Sequence, residues 1–177
     1  MLQIVTIVVF GFALYVYISF NEPQSTSVVL GVILGMILSG GLINVIGKEV
    51  SNYYNYKDFA MAKHTLFFLI KLGVVKIIGI LLVLLVLNYI VRLFPMIMML
   101  LTAFYTFFIG TLFLVLAPLH TINKKVIILI SISTGTALGL FLLLYVNTHI
   151  YIAHLLGIIT SILIPLIYYN YYFKKRI

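Results

Sequence analysis

The sequence predicts an all-α, polytopic membrane protein in which a bundle of six transmembrane helices makes up a single integral membrane domain, residues 1–177. Hydrophobic residues form 64% of the chain and charged residues 8%, against roughly 45–50% and about 25% in soluble domains. The apolar residues fall into six long runs, and most Lys and Arg residues lie at the ends of these runs. This composition excludes a separate soluble domain.

Six runs are long enough to cross a bilayer, because a helix needs about 20 apolar residues to span about 30 Å of hydrocarbon. Proline and asparagine mark the breaks between them, as expected of turns. The first run has no basic segment before it and no Ala-x-Ala cleavage pattern, so we expect a mature transmembrane helix rather than a signal peptide. The predicted spans are approximately 2–20, 27–46, 73–91, 95–117, 126–146 and 150–172.

The start of the third span depends on two lysines, Lys71 and Lys76, inside the apolar run that begins at Thr65. A span from Thr65 places Lys76 near the midplane, whereas a span from Gly73 places it one turn deep, where it can snorkel. The preceding stretch, 52–72, mixes aromatic residues with lysines, which is typical of an amphipathic helix on the membrane surface. We favour the shorter span and an interfacial segment over 52–72.

The positions of Lys and Arg predict the orientation, because basic residues collect on the cytoplasmic side. Arg92 alone lies on the opposite side. Both termini are therefore expected in the cytoplasm and the protein in the cytoplasmic (inner) membrane, and the net charge of +8 indicates contact with anionic lipid headgroups rather than nucleic acid. The residues on the basic side are Lys48, Lys57, Lys63, Lys124, Lys125, Lys174, Lys175 and Arg176.

Small residues repeat at intervals of four in the second and fifth spans, so that each set shares one helix face. Such faces allow close helix packing, and we expect these two spans to form the bundle interior. Alternatively, helices separate along these faces to admit a solute, and their central place in each three-span half would suit an inverted repeat. The predicted packing residues are Gly31, Gly35, Ser39, Ser131, Gly135 and Gly139.

The predicted spans contain no acidic residue, since Glu22, Glu49 and Asp58 all lie in loops. A carboxylate relay for protons or sodium is therefore not expected. No arrangement of nucleophile and base is recognisable, so we expect no enzymatic activity and no catalytic residue. The chain also lacks cysteine, which removes disulfides and thiolate metal sites.

Four histidines fall near span ends, two on each side of the membrane, and raise the remote alternative of a haem-binding membrane anchor. His149 and His154 are five residues apart, which is a poor spacing for one helix face. We interpret all four, including His64 and His120, as hydrated interfacial residues. No cofactor and no metal is therefore expected.

Lys76 is the most costly side chain in the chain if it is buried, at roughly 2.5–3.5 kcal/mol. An anionic solute, a lipid phosphate or a partner carboxylate would offset that cost. We predict Lys76 as a substrate-binding residue, with Asn44 and Asn88 as secondary polar candidates.

Residues 10–125 contain a turn at 21–23, a glycine-rich second span ending in Asn44, a basic loop, a third span carrying Lys76 and a fourth span ending at 116–118. In these features the segment resembles ATP synthase protein I, a small membrane protein associated with assembly of the rotary synthase. The resemblance implies an accessory role with Lys76 as the functional residue. That family has four spans and typically pairs its third-span lysine with a nearby glutamate, whereas this chain has six predicted spans and no acid between Thr65 and Arg92.

The last four spans also look broadly like part of the lipid-linked oligosaccharide flippases, and the basic segment after the second span is similar to export permeases. We therefore expect a non-enzymatic protein of transport or permease type that handles an anionic or amphipathic solute, including a lipid-linked one. The alternative is an accessory or assembly subunit of a larger membrane complex. Expected partners are lipids, a partner membrane subunit or further copies of this chain.

Overall fold

The computed structural model describes residues 22–146 and 148–176, which form five α-helices and no strand. All five are long and apolar enough to cross a membrane, so the chain is an integral multi-pass membrane protein built as a helical bundle. Five of the six predicted spans correspond to these helices, and the first, 2–20, lies outside the described residues. The helices are α1 (Glu22–Asn55), α2 (Phe59–Val91), α3 (Met96–Thr121), α4 (Lys125–Tyr145) and α5 (Ile150–Lys174).

Helices α1, α3 and α5 run parallel to one another, and α2 and α4 run in the opposite direction. Along α1 and α3, Gly31 lies beside Tyr105, and Gly47 lies beside Thr121. Along α3 and α5, the Tyr105 hydroxyl bonds to His154, and the Tyr169 hydroxyl donates to the carbonyl of Val115. In both pairs the residue numbers rise together, as parallel helices require.

One end of the bundle carries most of the positive charge. The alternating directions bring the C-terminal ends of α1, α3 and α5 together with the N-terminal ends of α2 and α4. Eight of the eleven Lys and Arg residues lie at or near this end, Arg92 lies at the other, and Lys71 and Lys76 lie within α2. We call the end with the eight basic residues the basic end. Its location in the cytoplasm stays a prediction.

Helix α3 is the centre of the described bundle. Twelve of its residues are buried, against three in α4. The expectation that the second and fifth spans form the interior is therefore wrong. The glycine faces of α1 and α4 each approach one neighbour closely, whereas α3 carries small residues on several sides, among them Ala103, Thr106 and Gly110, so that α1, α2 and α5 all pack on it.

Helix α2 begins at Phe59, not at Gly73, and this corrects the prediction of a separate interfacial segment over 52–72. Residues 52–55 complete α1, a turn follows, and the Asp58 carboxylate caps α2 by accepting from the Met61 amide at 3.0 Å. The helix is continuous because its buried residues form one stripe, and the lysines of α2 lie outside that stripe. They are Ala62, Leu66, Ile70, Gly73, Ile77, Leu81 and Asn88.

The long helices reach beyond the hydrocarbon. The 33 residues of α2 correspond to about 50 Å, against about 30 Å of hydrocarbon. Helix α1 ends at Asn55 rather than at residue 46, and α3 continues through Pro118 to Thr121. These extensions bring the aromatic residues of the basic end into contact.

Candidate functional site

A tyrosine and a histidine form a buried polar pair between α3 and α5. The Tyr105 hydroxyl lies 2.9 Å from Nδ1 of His154. Tyr105 is 0% exposed and His154 5% exposed. An intramembrane ionisable residue that faces the bundle interior marks a functional site by default, because burying it among apolar groups is costly. This pair is therefore the starting point for the site.

Hydroxyl groups of α3 extend the polar region toward α1. The Thr102 hydroxyl donates to the carbonyl of Ser27 at 3.2 Å and to that of Met98 at 2.9 Å. The Thr106 hydroxyl donates to the carbonyl of Thr102 at 2.8 Å. We call the buried residues Ser27, Thr102, Tyr105, Thr106 and His154 the polar strip.

The absence of a side chain at Gly31 brings α1 against the polar strip. A Cβ atom at this position would lie 2.6 Å from the Tyr105 Cβ and 2.9 Å from the Thr102 carbonyl oxygen. One turn later, a Cβ at Gly35 would lie 3.0 Å from the Gly110 amide nitrogen. The two backbones are therefore in direct contact, and α1 covers the side of α3 that carries the threonines.

His154 was expected to be a hydrated interfacial residue, and the structure contradicts this. It lies one turn into α5 and is buried, whereas His149, just before the helix, is exposed. The burial follows from the position of His154 in an apolar stripe with Ile158 and Ile162, at intervals of four. Because α5 is apolar on its exposed side as well, for example at Leu163, the sequence held no signal that separated His154 from a lipid-facing residue.

Lys76 lies on the outer surface of the described bundle, away from both glycine faces. Its neighbours Gly73 and Ile77 contact Leu114 and Gly110, which places Lys76 level with the middle of α3. The continuity of α2 places Lys76 near the middle of that helix, and its depth in the membrane stays a prediction. The expected convergence of Lys76 with the glycine faces does not occur.

The two candidate asparagines have different surroundings. Asn44 is exposed on α1. Asn88 is buried and makes two bonds to one residue, donating to the Phe94 carbonyl at 3.1 Å and accepting from the Phe94 amide at 2.9 Å. These bonds fix the turn between α2 and α3, so Asn88 has a structural role here, and its predicted role in substrate binding stays a prediction.

The predicted packing residues lie at two helix contacts of different kinds. Gly31 and Gly35 face α3, and the buried Ser39 donates to the carbonyl of Gly35 at 2.7 Å. The only buried residues of α4 are Ser131, Gly135 and Gly139; Gly135 and Gly139 lie against the α5 residues Gly157, Ser161 and Ala153.

These contacts do not show the inverted repeat. The contact of α1 with α3 joins parallel helices that are not consecutive in the chain. The contact of α4 with α5 joins two consecutive, antiparallel helices. Two halves related by symmetry would be expected to use their central helices alike.

The remaining histidines are dispersed. His64 and His120 are exposed near the basic end, and His64 stacks on Phe68 with ring centroids 6.4 Å apart. Within 22–146 and 148–176, no group of three or more His, Cys, Asp or Glu residues converges as a metal site would require. Comparison with protein-family models, curated proteins and solved structures finds no match to this chain.

Proposed function

We propose that this chain is a membrane transport protein of permease type, and that the polar strip receives the polar part of an anionic or amphipathic solute. The observation that carries the proposal is the buried Tyr105–His154 pair. In a purely structural core, phenylalanine in place of Tyr105 and leucine in place of His154 would fill comparable volumes. Burying a polar pair costs desolvation free energy that its own hydrogen bond offsets, and two groups able to exchange that bond for one to a solute support the proposal.

Around Gly31 and Gly35, the contact between α1 and α3 supports this function, because backbone rather than long side chains of α1 lies against α3 there. Separation of the two helices there would expose the threonines and the Tyr105–His154 pair to a solute. The basic end lies at the other end of the bundle from Ser27 and His154, so its charge would attract anions to that membrane surface rather than to the polar strip itself.

The proposal can be tested in liposomes containing the purified protein and fluorescent phosphatidylglycerol or phosphatidylcholine. Dithionite quenching measures movement of either lipid between leaflets. We expect protein-dependent movement that is faster for the anionic lipid. His154→Leu should lower the rate about tenfold, equivalent to about 1.4 kcal/mol in the barrier, whereas His149→Leu, which removes an exposed histidine at the same end of α5, should not change it.

Two results would contradict this function. The first is an absence of protein-dependent movement of both lipids in liposomes that contain folded protein. The second is equal rates for His154→Leu and the unaltered chain, with thermal unfolding showing that both are intact.

A second function, that of an accessory or assembly subunit, is favoured by the position of Lys76. This lysine is exposed near the middle of a membrane-spanning helix. The acids of α1, Glu22 and Glu49, lie toward the two ends of that helix rather than level with Lys76. A neighbouring subunit with a carboxylate would offset the cost of its charge. Gentle extraction followed by mass measurement should recover a partner chain that Lys76→Leu releases and Lys71→Leu retains; recovery of this chain alone argues against a subunit.

A further inference from the structure

An arginine and a lysine converge on one tyrosine ring at the basic end. The guanidinium carbon of Arg176 lies 4.7 Å from the centroid of the Tyr172 ring, and Nζ of Lys124 lies 5.7 Å from the same centroid. Both distances are within the range of cation–π attraction. Two positive charges thus lie against the same ring, at a place where α3, α4 and α5 meet.

An aromatic cluster holds Arg176 in place although it lies beyond the end of α5. The hydroxyls of Tyr54 and Tyr172 are 2.8 Å apart, and Nη1 of Arg176 donates to the Tyr54 hydroxyl at 3.2 Å. The guanidinium also lies 5.7 Å from the Tyr54 centroid and 5.1 Å from that of Phe59. Three rings from α1, α2 and α5 therefore orient this one cation.

The turn between α3 and α4 fixes Lys124 on the other side of the cluster. Asn123 adopts the left-handed conformation, with φ of 58°, which asparagine tolerates better than most residues. The Lys124 amide then donates to the Leu119 carbonyl at 2.8 Å. This lysine is half-buried, unlike the exposed Lys125 that follows it.

Neither cation contacts a carboxylate within the part of the chain that the structure describes. Their contacts there are the aromatic rings and the Tyr54 hydroxyl. Of the three acids in the chain, Glu22 begins α1 at the opposite end, and the Asp58 carboxylate accepts from the Met61 amide. Glu49 lies on α1 toward the basic end and forms no ion pair with either cation in the described part of the chain. Two cations on one ring that have no carboxylate partner there form a site that favours an anion.

We infer that Arg176 and Lys124 bind the phosphate group of an anionic lipid headgroup. A guanidinium presents paired N–H donors that match phosphate oxygens, and the lysine adds a second charge. The site lies at the end of a membrane-spanning helix, beside tyrosines of the kind that occupy the headgroup layer. A lipid phosphate therefore reaches this position as part of the bilayer, and the site is independent of any transport through the polar strip.

Native mass spectrometry of the detergent-solubilised full chain tests this site. Retained phosphatidylglycerol is compared with retained phosphatidylcholine, and inorganic phosphate is added as a competitor. Arg176→Gln combined with Lys124→Gln should lower the retained anionic lipid about tenfold, a difference of about 1.4 kcal/mol. The matched control, Lys175→Gln with Lys125→Gln, removes the same charge one residue away on each segment and should change retention less than twofold.

Arg176→Lys provides a further test, since it preserves the charge but removes the planar donors. We expect an intermediate loss of phosphatidylglycerol. Equal losses in the cluster variant and its control would overturn the site, because they would show attraction to net charge alone. Retention of phosphatidylcholine equal to that of phosphatidylglycerol would also overturn the site. Displacement of the bound lipid by millimolar inorganic phosphate would contradict its assignment to a lipid.

Discussion

The glycines of this chain differ in what an added side chain would meet. A Cβ at Gly135 would overlap the Ser161 hydroxyl and the Gly157 carbonyl, whereas a Cβ at Gly41 would have no described atom within 4 Å. We predict that Gly135→Ala destabilises the bundle by about 1–3 kcal/mol, the usual cost of overpacking. Gly41→Ala should be neutral or stabilise α1 by up to about 1 kcal/mol.

Thermal unfolding in a mild detergent measures both changes on one scale. The two variants add the same methyl group to a helical glycine, so the difference between them isolates packing from helix propensity. Equal unfolding temperatures would contradict the close contact between α4 and α5.

At the scale of single residues, the sequence identifies polar groups but not their surroundings. Lys76, Asn44 and Asn88 were singled out because lipid makes polar groups costly, yet Asn88 bonds to a backbone six residues away and Lys76 lies on the outer surface. His154 was assigned to the interface because it lies near a span end. Whether a helical residue faces lipid or protein depends on the partner helix, which one sequence does not specify.

At the scale of elements, the continuity of α2 gives a direct test. Leu66 and Phe68 both lie in the stretch expected to rest on the membrane surface, but Leu66 is fully buried and Phe68 is 55% exposed. We predict that Leu66→Ala destabilises the protein by about 2–5 kcal/mol, as core truncations do, and that Phe68→Ala costs less than about 1 kcal/mol.

Chemical denaturation of each variant, monitored by the loss of helical circular dichroism, gives the comparison. A surface-lying helix would give the reverse order, because its phenylalanine would anchor it in the lipid. That order would restore the separate interfacial segment.

The spans were predictable because a hydrocarbon slab imposes a length that apolar runs must meet. Five helices match that expectation within about five residues at the ends opposite the basic end. At the basic end, α1 runs to Asn55 instead of 46 and α2 begins at Phe59 instead of Gly73. The start of α2 and the central place of α3 were not predictable. Lysines at 63 and 71 interrupt the hydropathy of α2 without interrupting its buried stripe, and the glycines of α1 reveal a close contact but not its partner.

At the scale of the whole molecule, the alternation of five helices predicts which loops share a side of the membrane. The chain has no cysteine, so single cysteines can be labelled without background. Tyr56→Cys and Lys175→Cys should react with a membrane-impermeant maleimide from one side, and Leu93→Cys from the other. The positive-inside rule makes the Leu93 side external in intact cells.

Labelling of Tyr56→Cys and Leu93→Cys from the same side would contradict a crossing by α2. Labelling of Tyr56→Cys from outside intact cells would keep the bundle but reverse its orientation. Membranes opened by freeze–thaw serve as the control in which all three positions react.

The parallel contact of α1 with α3 has a consequence for synthesis. The ribosome delivers α1 to the bilayer before α3 exists, and α2 must cross back before α3 can follow. The surface around Gly31 and Gly35 therefore meets α3 only after residue 96 onward has been inserted. Helix α3 then provides the surface on which α5 packs.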